Sequence, residues 1–213
     1  AGARLADIGS DHAYLPVALI HRGAIAAAVA GEVAATPFQA ANRTVADNGL
    51  RQHITVRLAD GLAAIQAGDD ITAISLCGMG GETIRDILDS GKAHLNGRER
   101  LILQPNGGEQ PLRQWLMDNG YQILHEELLR ENRFYYEIIV AERAETMTYT
   151  AEQLYFGPLQ MQARSEDFLA KWQRILREKR KTLASLEQAR QAVPEQKVQE
   201  IVQQVKWIDQ LLA

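Results

Sequence analysis

The chain is poor in cysteine, with one, Cys77, in 213 residues. A single thiol excludes an internal disulfide and any cysteine-rich zinc site. With no export signal at the start, it points to a reducing, cytoplasmic setting. Long apolar runs are also missing: no stretch of about 18 uncharged apolar residues occurs, so no helical membrane span and no membrane partner are expected. The five histidines (12, 21, 53, 94, 125) show none of the helical pairings that hold metals, so no metal is expected. G-x-x-x-x-G-K-[ST] and G-x-S-x-G are both absent, which excludes P-loop nucleotide hydrolysis and a nucleophile elbow. The first residue is not Met and the sequence opens almost directly on a strand-like run, so an N-terminal segment is expected to be missing.

What is present suits a globular chain: 46% of residues are hydrophobic and 23% charged. The net charge of −4 hides an asymmetry, because residues 161–213 carry ten Lys or Arg against seven Asp or Glu. An acidic body with a basic tail suggests two jobs, against the blander reading of a solvated helical surface.

Residues 1–144 alternate short apolar runs with amphipathic stretches. Strands are expected at Leu5–Gly9, Ala26–Val33, Ile54–Leu58, Asp70–Leu76 and Arg100–Gln104. Helices are expected at Leu15–Ile20, Pro37–Asn48, Glu82–Leu88 and Gln110–Asn119, with Pro16 and Pro37 in first turns. Tyr121–Leu129 and Arg133–Ala141, separated by a turn around Glu131–Asn132, read as a hairpin. The pattern implies an α/β fold, a mostly parallel sheet with helices on both faces and one reversed strand near an edge. Residues 145–164 form a connector containing Gly157–Pro158. Residues 165–213 form a helical hairpin broken at Val193–Pro194. Its apolar seam runs through Leu169, Trp172, Leu176, Leu183 and Leu186, then Val198, Ile201, Val205, Ile208 and Leu212, with Lys179 at one seam position. That hairpin is expected to be separable from the first domain.

The chemistry concentrates at strand ends. Asp7-Ile8-Gly9-Ser10-Asp11-His12-Ala13 closes the first strand, where doubly wound sheets bind ligands. It is not G-x-G-x-x-G, and a negative Asp11 opposes a pyrophosphate, so the loop favours a ligand bearing positive charge over NAD. Glu32, at the end of the second strand, can accept both hydroxyls of a ribose. Asp60-Gly61 ends the third and can accept from an adenine amino group, or simply turn the chain. Cys77-Gly78-Met79-Gly80-Gly81 ends the fourth, and its three glycines leave backbone bare to a flat substrate. Cys77, with no His near it in sequence, reads as a small buried residue and not a nucleophile. Gln104-Pro105-Asn106 ends the fifth, where side-chain amides can read a nucleobase edge.

These runs, with Tyr14-Leu15-Pro16, Gly31-Glu32-Val33, Arg57-Leu58-Ala59-Asp60-Gly61-Leu62, Gly78-Met79-Gly80-Gly81 and Leu103-Gln104-Pro105, closely resemble the bacterial tRNA (adenine-22, N1)-methyltransferase family in the family's order. The resemblance covers essentially the whole chain. It implies a Rossmann-like domain binding S-adenosyl-L-methionine, a C-terminal coiled-coil hairpin that helps hold tRNA, and methylation of N1 of adenine 22. On that footing Asp7, Gly9, Ser10, Asp11 and His12 surround the amino-acid end of the cofactor. Glu32 and Val33 hold the ribose side, Asp60 and Gly61 face adenine, and Cys77 adjoins them. Gly78, Met79, Gly80 and Gly81 position the target base, with no general base assigned. Asn106 stands where an apolar residue is expected. Arg174, Arg177, Arg180 and Lys181 fall largely off the apolar seam and are the expected RNA contacts. The seam can be satisfied within the chain, so it requires no dimer and is compatible with a monomer. Two other classes compete: a small-molecule methyltransferase with a helical dimerisation module, and a non-catalytic scaffold with a decayed cofactor fold. Intact Gly9, Glu32, Asp60 and Gly78–Gly81 weigh against the scaffold, and the basic hairpin weighs against the small-molecule enzyme.

Overall fold

The computed structural model describes residues 2–144, 147–187 and 194–213. Five strands, β1 (Ala3–Ile8), β2 (Ile25–Glu32), β3 (Ile54–Leu58), β4 (Ala73–Met79) and β5 (Arg100–Pro105), precede the hairpin of β6 (Tyr121–Glu131) and β7 (Phe134–Arg143). They form one sheet in the order β3-β2-β1-β4-β5-β7-β6. The first five are parallel, and β7 is antiparallel to both its neighbours. The single reversed strand therefore lies second from the edge. Strand order reverses between β1 and β4, which opens a crevice at their carboxyl ends.

The strands read as continuous apolar runs because both faces are covered. On one face Leu5, Ala28, Ala30 and Ala73 pack with Val17 of α1 (Tyr14–His21) and Val45 of α2 (Ala35–Asp47). On the other, Ala6, Ile8, Ile74 and Leu76 pack with Ile84 and Leu88 of α3 (Gly81–Ser90) and with Leu112 and Leu116 of α4 (Glu109–Asp118). Pro16 and Pro37 lie in the first turns of their helices, where the missing amide has no intrahelical partner to lose.

One expectation needs correction and two gain detail. First, β4 begins at Ala73 and runs on to Met79, so Cys77-Gly78-Met79 is strand and not loop. Gly78 is the bulged residue: the register passes from Cys77 opposite Gln104 to Met79 opposite Pro105, and Gly78 takes φ +76°. Second, the connector is largely helical, as α5 (Ala151–Phe156) and α6 (Pro158–Ala163). Thr150 and Gln153 close the start of α5 with a reciprocal capping box. Third, the hairpin of α7 (Glu166–Glu187) and α8 (Glu195–Leu212) is rooted in the body. Phe168, Trp172 and Leu176 of α7 and Ile208 and Leu211 of α8 share a core with Phe156 and with the half-buried Leu128 of β6. Phe168 and Leu211 were not among the expected seam positions. Of the expected break, Pro194 caps α8, and Val193 lies outside the described residues.

A buried charge network fixes this root. Arg113 of α4 is fully buried and donates to Glu126 (2.8 Å) and to Glu137 (2.5 Å). Lys171 of α7 pairs with the same Glu137 and lies 3.6 Å from Glu109. Burial pushes the Glu137 carboxyl up, but Arg113 and Lys171 more than offset it and hold it below the ordinary glutamate range. Lys179, the seam interruption, is half-buried and donates to Gln204 of α8 (2.6 Å), and burial lowers its pKa.

Candidate functional site

The crevice is built by hydrogen bonds that stitch three strand ends around Glu32. The amides of Gly9 and Ser10 donate to the Gly31 carbonyl (3.0 and 3.3 Å), and the Ala59 amide donates to the Glu32 carbonyl (2.7 Å). Behind the loop, Asp7 is buried, and each of its oxygens accepts a hydroxyl, from Ser10 and Ser75, both at 2.6 Å. Burial raises the Asp7 pKa, and those two hydroxyls pull against it. Asp7 and Ser10 therefore set the loop's path from behind.

The loop itself is strained. Asp11 (φ +56°) and Ala13 (φ +57°) are both left-handed, a conformation that L-residues adopt at a cost. Asp11 is exposed. His12 lies between it (3.9 Å) and the exposed ring of Tyr14, which it meets edge-on at 5.2 Å.

Glu32 is 5% exposed, yet its Oε1 has no hydrogen-bond partner. Burial raises its pKa, an amide hydrogen bond from Asp11 opposes the rise, and the charges of Asp11 and Asp7 add to it. A buried carboxylate oxygen without a partner, at the carboxyl end of a strand beside the crevice, is an acceptor waiting for a donor. Next to it the apolar side chains of Val33 and Leu58 are exposed, at 70% and 53%. Asp60 and Gly61 line a cleft of about 250 Å³ with Ile87, Ser90 and His94.

Across the crevice, the side chains of Gln104 and Asn106 grip the bulge. The Gly78 amide donates to Gln104 Oε1 (2.9 Å), Asn106 Nδ2 donates to the Gly78 carbonyl (2.9 Å), and Gln104 Nε2 donates to Asn106 Oδ1 (3.0 Å). These amides hold backbone, so they are not free nucleobase readers, and this explains the polar Asn106. Gly81 is buried, and its amide donates to the Gly107 carbonyl (2.8 Å). A Cβ there would collide with the Gly108 carbonyl, so the bareness of Gly81 serves a loop-to-loop contact. Gly78 keeps open space around its Cα atom, Gly80 stands against Thr83 and Glu82, and Met79 reaches back over Gly9. Cys77 is half-buried, and burial, with Asp7 nearby, pushes its thiol up to about 11, which disarms it as a nucleophile. Glu82, in the first turn of α3, sets an exposed carboxylate beside Gly80 and Gly108; sequence reasoning had not singled it out.

The expected RNA cluster divides. Arg180 turns toward α8, where its Nη2 donates to both carboxylate oxygens of Asp209 (2.7 and 2.9 Å). Arg174, Arg177 and Lys181 share another stripe of α7, as their helical spacing requires. Arg174 donates to the Arg133 carbonyl (3.0 Å), and with Arg177 it faces Arg130 and Arg133 of the β6–β7 tip. Those two arginines were missed, although a hairpin read with Arg on both sides of its turn could have pointed to them. Among the described residues no group of three or more His, Cys, Asp or Glu could hold a metal ion, and no helix is long and apolar enough to cross a membrane.

The model of the tRNA (adenine(22)-N(1))-methyltransferase family matches residues 5–210. The tRNA (adenine(22)-N(1))-methyltransferase of Bacillus subtilis is 37% identical over 218 residues, covering 99% of this chain and 91% of the relative. The crystal structure of the B. subtilis m1A22 tRNA methyltransferase superposes with a TM-score of 0.92 at 35% identity, over all of this chain and 93% of that one. A Streptococcus pneumoniae protein solved in complex with S-adenosyl-L-methionine superposes with a TM-score of 0.89 at 42% identity, with the same coverage.

Proposed function

The chain belongs to the tRNA (adenine(22)-N(1))-methyltransferase family, and we propose that it carries out that family's reaction in the crevice between β1 and β4. The substrates are S-adenosyl-L-methionine and tRNA, the reaction takes place in the cytoplasm, and the product carries a methyl on N1 of adenine 22. The observation that carries this reading is the buried, unpartnered oxygen of Glu32 beside a bare loop, which suits the hydroxyls of a ribose.

The residues fit the cofactor. Asp7, Asp11 and Glu32 make an acidic surround that suits a sulfonium and an ammonium and repels a pyrophosphate. Gly9 bares the loop, and Val33 and Leu58 offer apolar surface to a purine. Asp60 and Gly61 stand on that purine side. S-adenosyl-L-methionine supplies an electrophilic methyl when bound.

The protein's part is positioning. Adenine N1 has an in-plane lone pair, so no general base is needed to start the reaction, but a paired base must first be exposed. Gly78, Met79 and Gly80, held by Gln104 and Asn106, form a fixed wall against which a flat base can be aligned. Gly81 supports that wall from the buried side. The product base is cationic, and Glu82 is the carboxylate placed to stabilise the charge as it develops. The tRNA body rests on residues 165–213 and the adjoining hairpin tip.

The test is methyl transfer to an unmodified tRNA transcript, followed by nuclease digestion to locate the modified base. Methylation of adenine 22 is expected, and an adenine-22-to-guanine transcript should take up nothing. Transfer only to small metabolites would overturn the reading.

A further inference from the structure

Four arginines meet at the tip of the β6–β7 hairpin. Arg130 comes from β6, Arg133 from the turn, and Arg174 and Arg177 from α7; with Tyr135, Ala170 and Gln173 they line a cavity of about 350 Å³. Arg130 pairs with Tyr135 across the strands, so both point to one face. Glu137, two residues on along that face, pairs with Lys171, so this is the face that looks at α7. The guanidinium groups of Arg130 and Arg174 lie 5.8 and 5.6 Å from the Tyr135 ring centroid. With the Arg174 bond to the Arg133 carbonyl, these contacts hold the planar forks in place before a ligand arrives.

The pocket's charge is not balanced from within. Asp167 lies 3.8 Å from Arg130, and Glu178 lies 3.3 Å from Arg174. Arg133 and Arg177 form no ion pair among the described residues. Lys181 continues the stripe beyond Arg177. Such a surplus of preorganised cations, several of them planar, suits phosphate oxygens.

The topology says which phosphates. Ile139 of β7 pairs with Leu103 near the carboxyl end of β5, and β7 starts five residues earlier, at Phe134. At about 3.4 Å per residue the tip stands roughly 17 Å beyond that pair, past the same sheet edge that carries the Gly78–Gly81 wall. The wall itself lies about two residues beyond Leu103, with Met79 opposite Pro105, so the tip stands about three residues, roughly 10 Å, above it and two strand spacings, about 10 Å, to its side. We propose that the Arg130–Arg133–Arg174–Arg177 pocket binds the ribose–phosphate backbone of the tRNA away from the target nucleotide. It orients the substrate on the crevice without reading its sequence. This rests on the functional reading above.

The test pairs two exposed, unpaired positions as Arg133→Gln/Arg177→Gln in the full chain. Affinity for an unmodified tRNA transcript should weaken about tenfold, and the slope of log affinity against log salt should shrink by about two. S-adenosyl-L-methionine affinity and the melting temperature should stay at wild-type values. Arg133→Lys/Arg177→Lys should restore most of the slope. Lys197→Gln/Lys206→Gln, on α8, should change tRNA binding little. A wild-type affinity and slope in the Gln pair overturn the proposal, as does an equal loss in the α8 pair. Unchanged tRNA binding with lost binding to phosphatidylserine vesicles would overturn it too, by assigning the pocket to an anionic membrane. A wild-type chain that neither binds nor methylates tRNA defeats the functional reading itself. A wild type that does both, matched by the Gln pair, defeats only the pocket.

Discussion

The crevice and the root of the helical hairpin both depend on buried carboxylates, and they use them in opposite senses. In the crevice burial pushes Asp7 and Glu32 up, only neighbouring hydroxyls, an amide and His12 oppose it, and neither carboxylate forms an ion pair among the described residues. At the root Glu137 is buried as deeply but faces Arg113 and Lys171, and its pKa falls. The first arrangement sacrifices stability and leaves one oxygen of Glu32 as an acceptor ready for a ligand, while Asp7 spends both of its oxygens on Ser10 and Ser75. The second neutralises its charges internally and ties α4, β6, β7 and α7 together. A functional site and a structural joint are thus told apart by whether a buried charge has its partner within the chain.

The sharpest way to break that contrast is at the joint. Arg113→Met leaves Glu126 and Glu137 buried with less compensation, and is expected to cost about 3–5 kcal/mol of stability in urea unfolding followed by tryptophan fluorescence. A loss under about 1 kcal/mol would mean the network is incidental. For the same reason a chain ending near residue 164 is not expected to behave as an intact first domain, since it loses Lys171 from Glu137 and uncovers Phe156.

In the crevice, Glu32→Ala is expected to weaken S-adenosyl-L-methionine binding by roughly 2–3 kcal/mol in calorimetric titration, because two ribose donors lose a charged acceptor. Stability should hold or rise, since a desolvated charge is removed. Unchanged affinity would displace the ribose from this end of β2.

Acid separates the two regions as well. Glu137, depressed when folded, contributes stability that is fully present above the ordinary glutamate value of 4.5 and is lost as pH falls through its folded pKa. Asp7 and Glu32, raised when folded, act the other way: their cost at neutral pH is relieved as pH drops through their raised values. The urea midpoint should therefore hold or rise slightly on mild acidification and fall only below about 4.5. Cofactor affinity should decline earlier, as Glu32 takes up its proton. Affinity and stability that decline together from neutral pH would contradict this division.

How far the sequence could be read follows the same division. The crevice is written in contiguous runs: Asp7–Ala13 and Gly31–Val33 each carry a strand end and its chemistry within a few residues, so their place in the fold was legible. What contiguity could not show was the direction of a side chain. Asp7 turns inward to Ser75, 68 residues away, and Gln104 and Asn106 turn onto Gly78. The arginine pocket joins residues 130–135 to 170–177, and no periodicity within either segment reveals the other. The strand through Met79 was missed because three glycines in four residues read as loop, while the bulge at Gly78 lets the ladder continue past them.

Glu82→Gln tests electrostatic help to the chemical step. It keeps the shape of the wall and removes a carboxylate beside Gly80 and Gly108. Turnover under saturating substrates is expected to fall about tenfold, near 1.4 kcal/mol, with cofactor affinity unchanged. An unchanged turnover would leave positioning as the protein's whole contribution.

The smallest expected effect separates a structural cation from a binding one. Arg180 and Asp209 join α7 to α8 at the surface, with side chains 57% and 44% exposed. An exposed pair of this kind is screened by solvent, so a double-mutant cycle with Arg180→Ala and Asp209→Ala should give a coupling of about 0.2–1 kcal/mol in unfolding experiments. The informative part is the tRNA measurement on the same variants. Because Arg180 already has a carboxylate partner, Arg180→Ala alone should leave the salt slope of tRNA binding near its wild-type value. Asp209→Ala, which frees Arg180, should leave affinity unchanged or raise it slightly. If Arg180→Ala instead reduces the slope by about one, its guanidinium exchanges Asp209 for a phosphate when RNA arrives, and the basic surface of α7 extends around the helix to the α8 side.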